Sequence, residues 1–223
     1  MAEINLMDQY PHHNRPIEER ETVCTDEQRI VAQEYGKEFF DGDRHYGYGG
    51  YSYDPRFWQA TVKRIRDYYN LASDASLLDV GCAKGFLLHD FKELMPNLTI
   101  AGIDVSEYAI ANGIEDVKPY LKVASAKELP YPDKSFDLVL SINALQSLPP
   151  EECKQAIAEI QRVSRHHAFI VVDICRNQEE REKQLKWNLI AKTYLHPDEW
   201  VKLFDEVGYK GDYFWWFINR VPS

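Results

Sequence analysis

The chain has 223 residues, 44% of them hydrophobic and 13% aromatic, with a formal net charge of −10. That length suits one sizeable domain with additions. The acidity disfavours duplex DNA or a folded RNA as partner, since those ask for a basic face. The four cysteines, Cys24, Cys82, Cys153 and Cys175, are isolated, with no CxxC pair and no metal spacing. No signal peptide and no apolar run of about 18 residues is visible, so the expectation is a soluble cytoplasmic protein without a membrane segment.

Residues 1–25 are polar, contain Pro11 and Pro16, and are expected to be irregular. Thr25, Asp26 and Glu27 supply an N-cap and early acids for a helix running to about residue 40. The segment 42–58 is too dense in glycine for a regular element, yet holds Tyr46, Tyr48, Tyr51, Tyr53, Phe57 and Trp58. A second helix is predicted to start at Asp54 or Pro55 and run to Tyr69.

From residue 76 strands and helices alternate. Strands are predicted at 76–80, 99–104, 120–123, 136–142, 168–174 and 212–219. Helices are predicted at 84–95, 106–113, 150–164 and from 196 or 197 to 207. Such alternation implies βαβ units and a parallel sheet. The runs Phe136-Asp137-Leu138-Val139-Leu140 and Phe169-Ile170-Val171-Val172 suit strands buried on both faces. Residues 179–186 are a charge run, expected as a solvated helix face. Residues 188–195 have β-like composition and are a candidate for a further strand.

The most informative stretch is Leu77-Leu78-Asp79-Val80-Gly81-Cys82-Ala83-Lys84-Gly85-Phe86. An apolar strand ends at an acid, a glycine turn follows, and a helix begins at once. Asp79 closes the strand, Gly81 allows the turn, and Gly85 lets the helix pack close. Free N–H groups at the helix start then favour an adenosine-bearing cofactor. Asp104 ends the next strand, 25 residues after Asp79, where a carboxylate accepts from both ribose hydroxyls.

Here the chain resembles the class I S-adenosylmethionine-dependent methyltransferases of the small-molecule type, over about residues 55–210. Asp79 to Gly85 is similar to that family's acid-x-Gly-x-Gly-x-Gly signature, with Ala83 in place of the middle glycine. Ala124 to Tyr131 is similar to its Gly-Asp-Ala-x-x-Leu-Pro-Phe segment, with Ser125 where an aspartate often contacts adenine. Ser141 to Leu148 matches the loop beside the sulfonium. Glu159 to Val163 matches the helix before the fifth strand, and Arg165-His166-His167 replaces the usual Pro-Gly-Gly.

The resemblance implies a Rossmann-like three-layer α/β sandwich with a mainly parallel sheet and an antiparallel C-terminal strand. Residues 1–54 then form an N-terminal tail, helix and Gly/Tyr-rich lid, and 55–223 the S-adenosylmethionine-binding domain. The implied cofactor is S-adenosyl-L-methionine, with S-adenosyl-L-homocysteine as product. Its implied contacts are Asp79, Gly81, Cys82, Ala83, Gly85, Phe86, Asp104, Val105, Ser125, Ala126, Lys127, Ser141 and Ile142.

Methyl transfer is an in-line displacement that depends on positioning and exclusion of water more than on a strong base. The candidate catalytic groups are Asn143, beside the methyl position, and Tyr48 and Tyr51 of the lid, whose rings suit a sulfonium by cation–π contact. Arg44, Tyr46, Tyr53, Arg56, Gln146 and Trp216 are candidates for the acceptor. Each has a plainer reading beside it. The lid is also a packing segment, Asn143 a turn cap, and Trp216 core with Trp215, Trp58 and Trp187. His166 and His167 fall at the sheet end away from chemistry, and His12 and His13 are solvated tail residues unless the tail folds over the site. The expected reaction is methyl transfer to a small polar molecule at an oxygen, nitrogen or carboxyl acceptor, with no nucleic acid, membrane or metal, and the chain a monomer or homodimer. The alternatives are another use of the sulfonium (cyclisation or aminocarboxypropyl transfer) and a non-catalytic cofactor-binding regulator.

Overall fold

The computed structural model describes residues 1–11, 17, 18, 20, 24–48 and 51–218. His12 and His13 lie outside them. The strands are Ser76–Val80 (β1), Thr99–Asp104 (β2), Leu121–Val123 (β3), Phe136–Ile142 (β4), Ser164–Asp173 (β5) and Asp212–Trp216 (β6). They form one sheet in the order β3-β2-β1-β4-β5-β6, with every pairing parallel. The helices are Asp26–Ala32 (α1), Lys37–Asp41 (α2), Pro55–Tyr69 (α3), Phe86–Leu94 (α4), Glu107–Ala111 (α5), Pro150–Val163 (α6), Gln178–Trp187 (α7) and Pro197–Glu206 (α8).

Alternate residues of the central strands feed two cores, which makes three layers. Leu77, Leu138 and Leu140 pack with Val62 and Ile65 of α3 and Leu88 and Phe91 of α4. Leu78, Val80 and Val139 pack with Ile157 and Ile160 of α6 and Trp200 and Phe204 of α8. Both strand faces are therefore apolar, as a covered parallel sheet requires. Reversal of strand order falls between β1 and β4, where an open α/β sheet leaves a crevice above its carboxyl ends.

Several expectations change. No antiparallel strand is present among the described residues: β6 runs parallel to β5, with Phe169 opposite Asp212 and Asp173 opposite Trp216. Residues 188–195, the candidate further strand, are irregular. Their backbone groups are committed elsewhere: Lys192 and Thr193 N–H donate to the Gln146 carbonyl, and the Asn188 and Leu189 carbonyls accept from Arg29 and Gln33. The edge of β6 is instead met by the N-terminus, where Ile4 N–H donates to Tyr213 O and Tyr213 N–H to Ala2 O. A paired edge is protected from other chains.

The helix predicted over 25–40 is two helices. Tyr35 adopts a left-handed φ of 52° and Gly36 follows it, so the chain turns and α2 starts afresh. β5 begins at Ser164, four residues before the predicted start. His166 and His167 thus sit in the strand, at the sheet end opposite the crevice.

Candidate active site

A cavity of about 960 Å³ lies over the carboxyl ends of the strands. That is the upper end of the ~300–1,000 Å³ range of small-molecule sites. Its floor follows the sheet order. Asp104 closes β2, Asp79 lies one residue from the end of β1, Asn143 follows β4, Asp173 closes β5 and Trp216 closes β6.

The part of the cavity over β1 and β2 is built by local backbone geometry. Gly81 has φ 85°, and a Cβ there would collide with the Cβ of Ala144, so glycine lets the turn meet the loop after β4. Ala83 has φ 48°, a left-handed conformation that strains any residue with a Cβ. This conformation delivers the Ala83 N–H to Asp104 Oδ2 at 2.9 Å, while Ser106 N–H donates to Oδ1 at 2.9 Å. Asp104 is thereby aimed with lone pairs to spare. Burial raises its pKa, which those backbone bonds oppose. Asp79 is 5% exposed; desolvation, and then the charge of Asp104, push its pKa up to about 7. Two adjacent buried acids disfavour joint ionisation until a cation joins them.

Cys82, Phe86, Val105, Ser125, Ala126, Lys127 and Ile142 also line the cavity. Lys127 pairs with Glu152 at 3.0 Å on its wall. Gly85 and Ser141 are beside it, not in it. Gly85 caps α4 in a left-handed conformation, and a Cβ there would press on Val117 and Leu121. Ser141 Oγ is fully buried and donates to Val80 O at 3.1 Å, tying β4 to β1.

The N-terminal segment roofs the cavity. Tyr35, Phe39, Phe40, Arg44, Tyr48 and Tyr51 line it. Lys84, 7% exposed, binds Asp41 of α2 and donates to the Tyr51 carbonyl at 3.2 Å. Tyr108 donates to Asp41 at 2.7 Å, and Ser106 Oγ to the Tyr35 carbonyl at 2.6 Å. The glycine-turn lysine thus clasps the roof, a role its position in the motif did not suggest. Tyr48 Oη accepts from Leu189 N–H at 2.8 Å, and its ring stacks near Trp187 at 6.3 Å between centroids. Arg20 lies over both rings and donates to the Gly47 carbonyl at 2.9 Å. Desolvation pushes the Tyr48 pKa up to about 12, so it stays a neutral phenol. It pins the roof to the loop after α7 and is among the residues lining the cavity.

Among the other acceptor candidates, Arg44, Gln146 and Trp216 line the cavity. Tyr46, Tyr53 and Arg56 fall outside it. Tyr53 donates to Asp90 on α4 at 2.6 Å, and Arg56 pairs with Asp54, the N-cap of α3, at 2.7 Å. Asn143 is exposed at the mouth with φ 54°, its N–H donating to Val171 O at 2.8 Å. A non-glycine residue held left-handed at a strand end is a common device of binding sites.

Asp173 and Asn188 also face this space, and sequence reasoning missed both. A signal for Asp173 existed: Ile170-Val171-Val172-Asp173 ends an apolar strand on an acid, as Asp79 and Asp104 do.

The donor set fits an adenosine-bearing sulfonium: a fixed carboxylate for a diol, a second acid for a cation, aromatic rings above. Residues 77–167 match the family model described as a methyltransferase domain. An uncharacterised protein of Haemophilus influenzae is 29% identical over 175 residues, covering 73% of this chain and 61% of that one. Ajmaline N-methyltransferase of Rauvolfia serpentina is 34% identical over 122 residues, covering 50% and 40%. Among solved structures, the YcgJ protein of Bacillus subtilis superposes with a TM-score of 0.55 at 16% identity, covering 66% of each chain. Residues 77–167 thus match a methyltransferase domain, and the fold is Rossmann-like. The chain spans less than two thirds of the length of these curated relatives. Among the described residues no helix is long and apolar enough to cross a membrane.

Proposed function

We propose that the protein transfers a methyl group from S-adenosylmethionine to a small molecule. The observation that carries this is the continuity of one roofed cavity from the paired acids at β1 and β2 to the polar and aromatic groups at β5 and β6. One cavity of this size accommodates donor and acceptor together. When bound, S-adenosylmethionine supplies an electrophilic methyl carbon. Asp104 holds ribose hydroxyls, and Asp79 faces positive charge. Tyr35, Tyr48 and Tyr51 offer ring faces to a sulfonium, each such contact being worth roughly 0.5–2 kcal/mol. Asn143 orients the acceptor at the mouth. The roof excludes water, which strengthens every charge interaction beneath it. With Tyr48 and Tyr51 desolvated and held as neutral phenols, positioning dominates over base catalysis.

The test is direct. Calorimetry with S-adenosylhomocysteine should show one site per chain, and Asp104→Ala should weaken it by about 2–3 kcal/mol, the loss expected when charge-assisted hydrogen bonds go. Wild-type affinity in the variant would remove the assigned diol contact. Incubation with S-adenosylmethionine and acceptor should release S-adenosylhomocysteine. Release of methylthioadenosine would instead mean attack at another carbon.

A further inference from the structure

Past Asp104 the cavity continues toward β3, the edge strand of the sheet. Its wall there is made by the turn after β3 and the start of α6. The turn is fixed from within: Ser125 Oγ accepts from Lys127 N–H at 3.2 Å, and the Ser125 carbonyl accepts from Glu128 N–H at 3.2 Å. It is also fixed by α6, where Glu159 accepts from Leu129 N–H at 2.8 Å and Arg162 donates to the Leu129 carbonyl at 3.1 Å. About two turns earlier on that helix, Glu152 meets Lys127 Nζ at 3.0 Å. Both side chains line the cavity, and they are 35% and 39% exposed for Lys127 and Glu152.

The turn is held without this pair, and an ion pair so exposed adds little to stability. Its chemistry is more specific than its strength. An ammonium only donates and a carboxylate only accepts, so the wall presents one donor beside one acceptor. The neighbouring wall is apolar: Val105, 51% exposed, Ala124, Ala126 and Leu148 face the same space. Such a wall suits a flat ring whose polar edge meets the pair.

The position of Asp104 says which ring. In S-adenosylmethionine the ribose lies between the base and the sulfonium. With the diol on Asp104 at β2 and the positive charge toward Asp79 at β1, the base extends the other way, toward β3. The Watson–Crick edge of adenine carries the N6 amino donor beside the N1 acceptor, which complements an acceptor beside a donor.

We infer that Lys127 and Glu152 select the base of the cofactor, Glu152 accepting from the adenine N6 amino group and Lys127 donating to N1; this rests on the cofactor reading above. Hypoxanthine carries the reverse pattern, an oxygen at C6 beside N1–H. It would set oxygen against the carboxylate and N–H against the ammonium, and a site built on such hydrogen bonds rejects a ligand that leaves them unmade. Ser125 acts one step behind, since its hydroxyl holds the turn that carries Lys127.

The experiment is calorimetry on the full chain with S-adenosylhomocysteine and with S-inosylhomocysteine, its hypoxanthine analogue. The adenine compound should bind at least about tenfold tighter, equivalent to about 1.4 kcal/mol. Glu152→Gln, whose amide offers either a donor or an acceptor, should bring the two compounds within about threefold. The double variant Lys127→Glu, Glu152→Lys restores an ion pair with donor and acceptor exchanged, and should bind the inosine compound at least as tightly as the adenine one. Melting temperatures of both variants should stay within a few degrees of wild type, because Glu159 and Arg162 hold the turn independently. A pair that only fastens the turn to α6 would be restored by the exchange with the wild-type preference intact, and that result overturns the inference. Equal binding of the two compounds by the wild-type protein overturns it as well, while leaving the cofactor reading in place. Failure of the wild-type protein to bind S-adenosylhomocysteine at all overturns both, so the two failures are separate signals.

Discussion

At the scale of single residues, the site depends on where hydroxyl and carboxylate groups spend their hydrogen bonds. Tyr48 carries a ring suited to a sulfonium, and its hydroxyl serves the fold by accepting from Leu189 N–H. Tyr48→Phe keeps the ring and orphans that N–H, a loss of about 1–3 kcal/mol. The expected outcome is a lower melting temperature, by several degrees for a chain of this size, with cofactor affinity of the folded protein within about twofold. A large loss of affinity at unchanged melting temperature would make the hydroxyl a ligand contact after all. The strain at Ala83 has the same logic in backbone form. The left-handed turn is retained without glycine because it aims the N–H that fixes Asp104.

At the scale of elements, the roof is attached by a few polar clasps more than by a continuous core. Lys84 joins the glycine turn to Asp41 of α2 and to the Tyr51 carbonyl. Lys84→Met removes the clasp with little change in volume. Asp41 keeps its bond from Tyr108 and is partly solvated, with its side chain 32% exposed, so no deeply buried charge is stranded. The S-adenosylhomocysteine Kd should rise by about tenfold or more, while the melting temperature falls only a few degrees. Calorimetry and thermal unfolding on one preparation read both. Equal percentage losses would mean the clasp is general packing. The strands β1, β2 and β4 were legible in the sequence to the residue, because each is an apolar run closed by polar residues. The roof was legible only as a Gly/Tyr anomaly. Its clasps join residues 33 to 141 positions apart, and no local pattern encodes such pairs. Residues 188–195 misled because apolar and β-branched residues also suit an irregular loop that buries Leu189 and Thr193. Tyr53 and Arg56 share the composition of the roof, but helix α3 starts between them and carries Arg56 away to solvent.

At the scale of the whole molecule, paired acids couple cofactor capture to stability. Asp79 has a folded pKa of about 7 against an ordinary value of 3.8, because of burial and the neighbouring Asp104. In this window the folded state holds more protons than the unfolded chain, so stability falls as pH rises. The contribution is fully present below about pH 4 and is lost as pH climbs to about 7. Carboxylates held low, such as Glu159 beside Arg162, act in the opposite sense at the acid end. Without cofactor, the protein should therefore be most stable near pH 5 and lose melting temperature between pH 5 and about 7.5. Asp79→Asn, which keeps the shape and removes the titration, should flatten that limb. A cationic ligand reverses the cause, because positive charge beside the acids restores their ionised form. S-adenosylmethionine binding should therefore tighten as pH rises through 7, release close to one proton per site at pH 6, and release almost none at pH 8.5. Calorimetry in two buffers of different ionisation enthalpy counts those protons. A pH-independent melting temperature, or proton uptake on binding, would show that Asp79 is ionised throughout and that the charge balance of the crevice lies elsewhere.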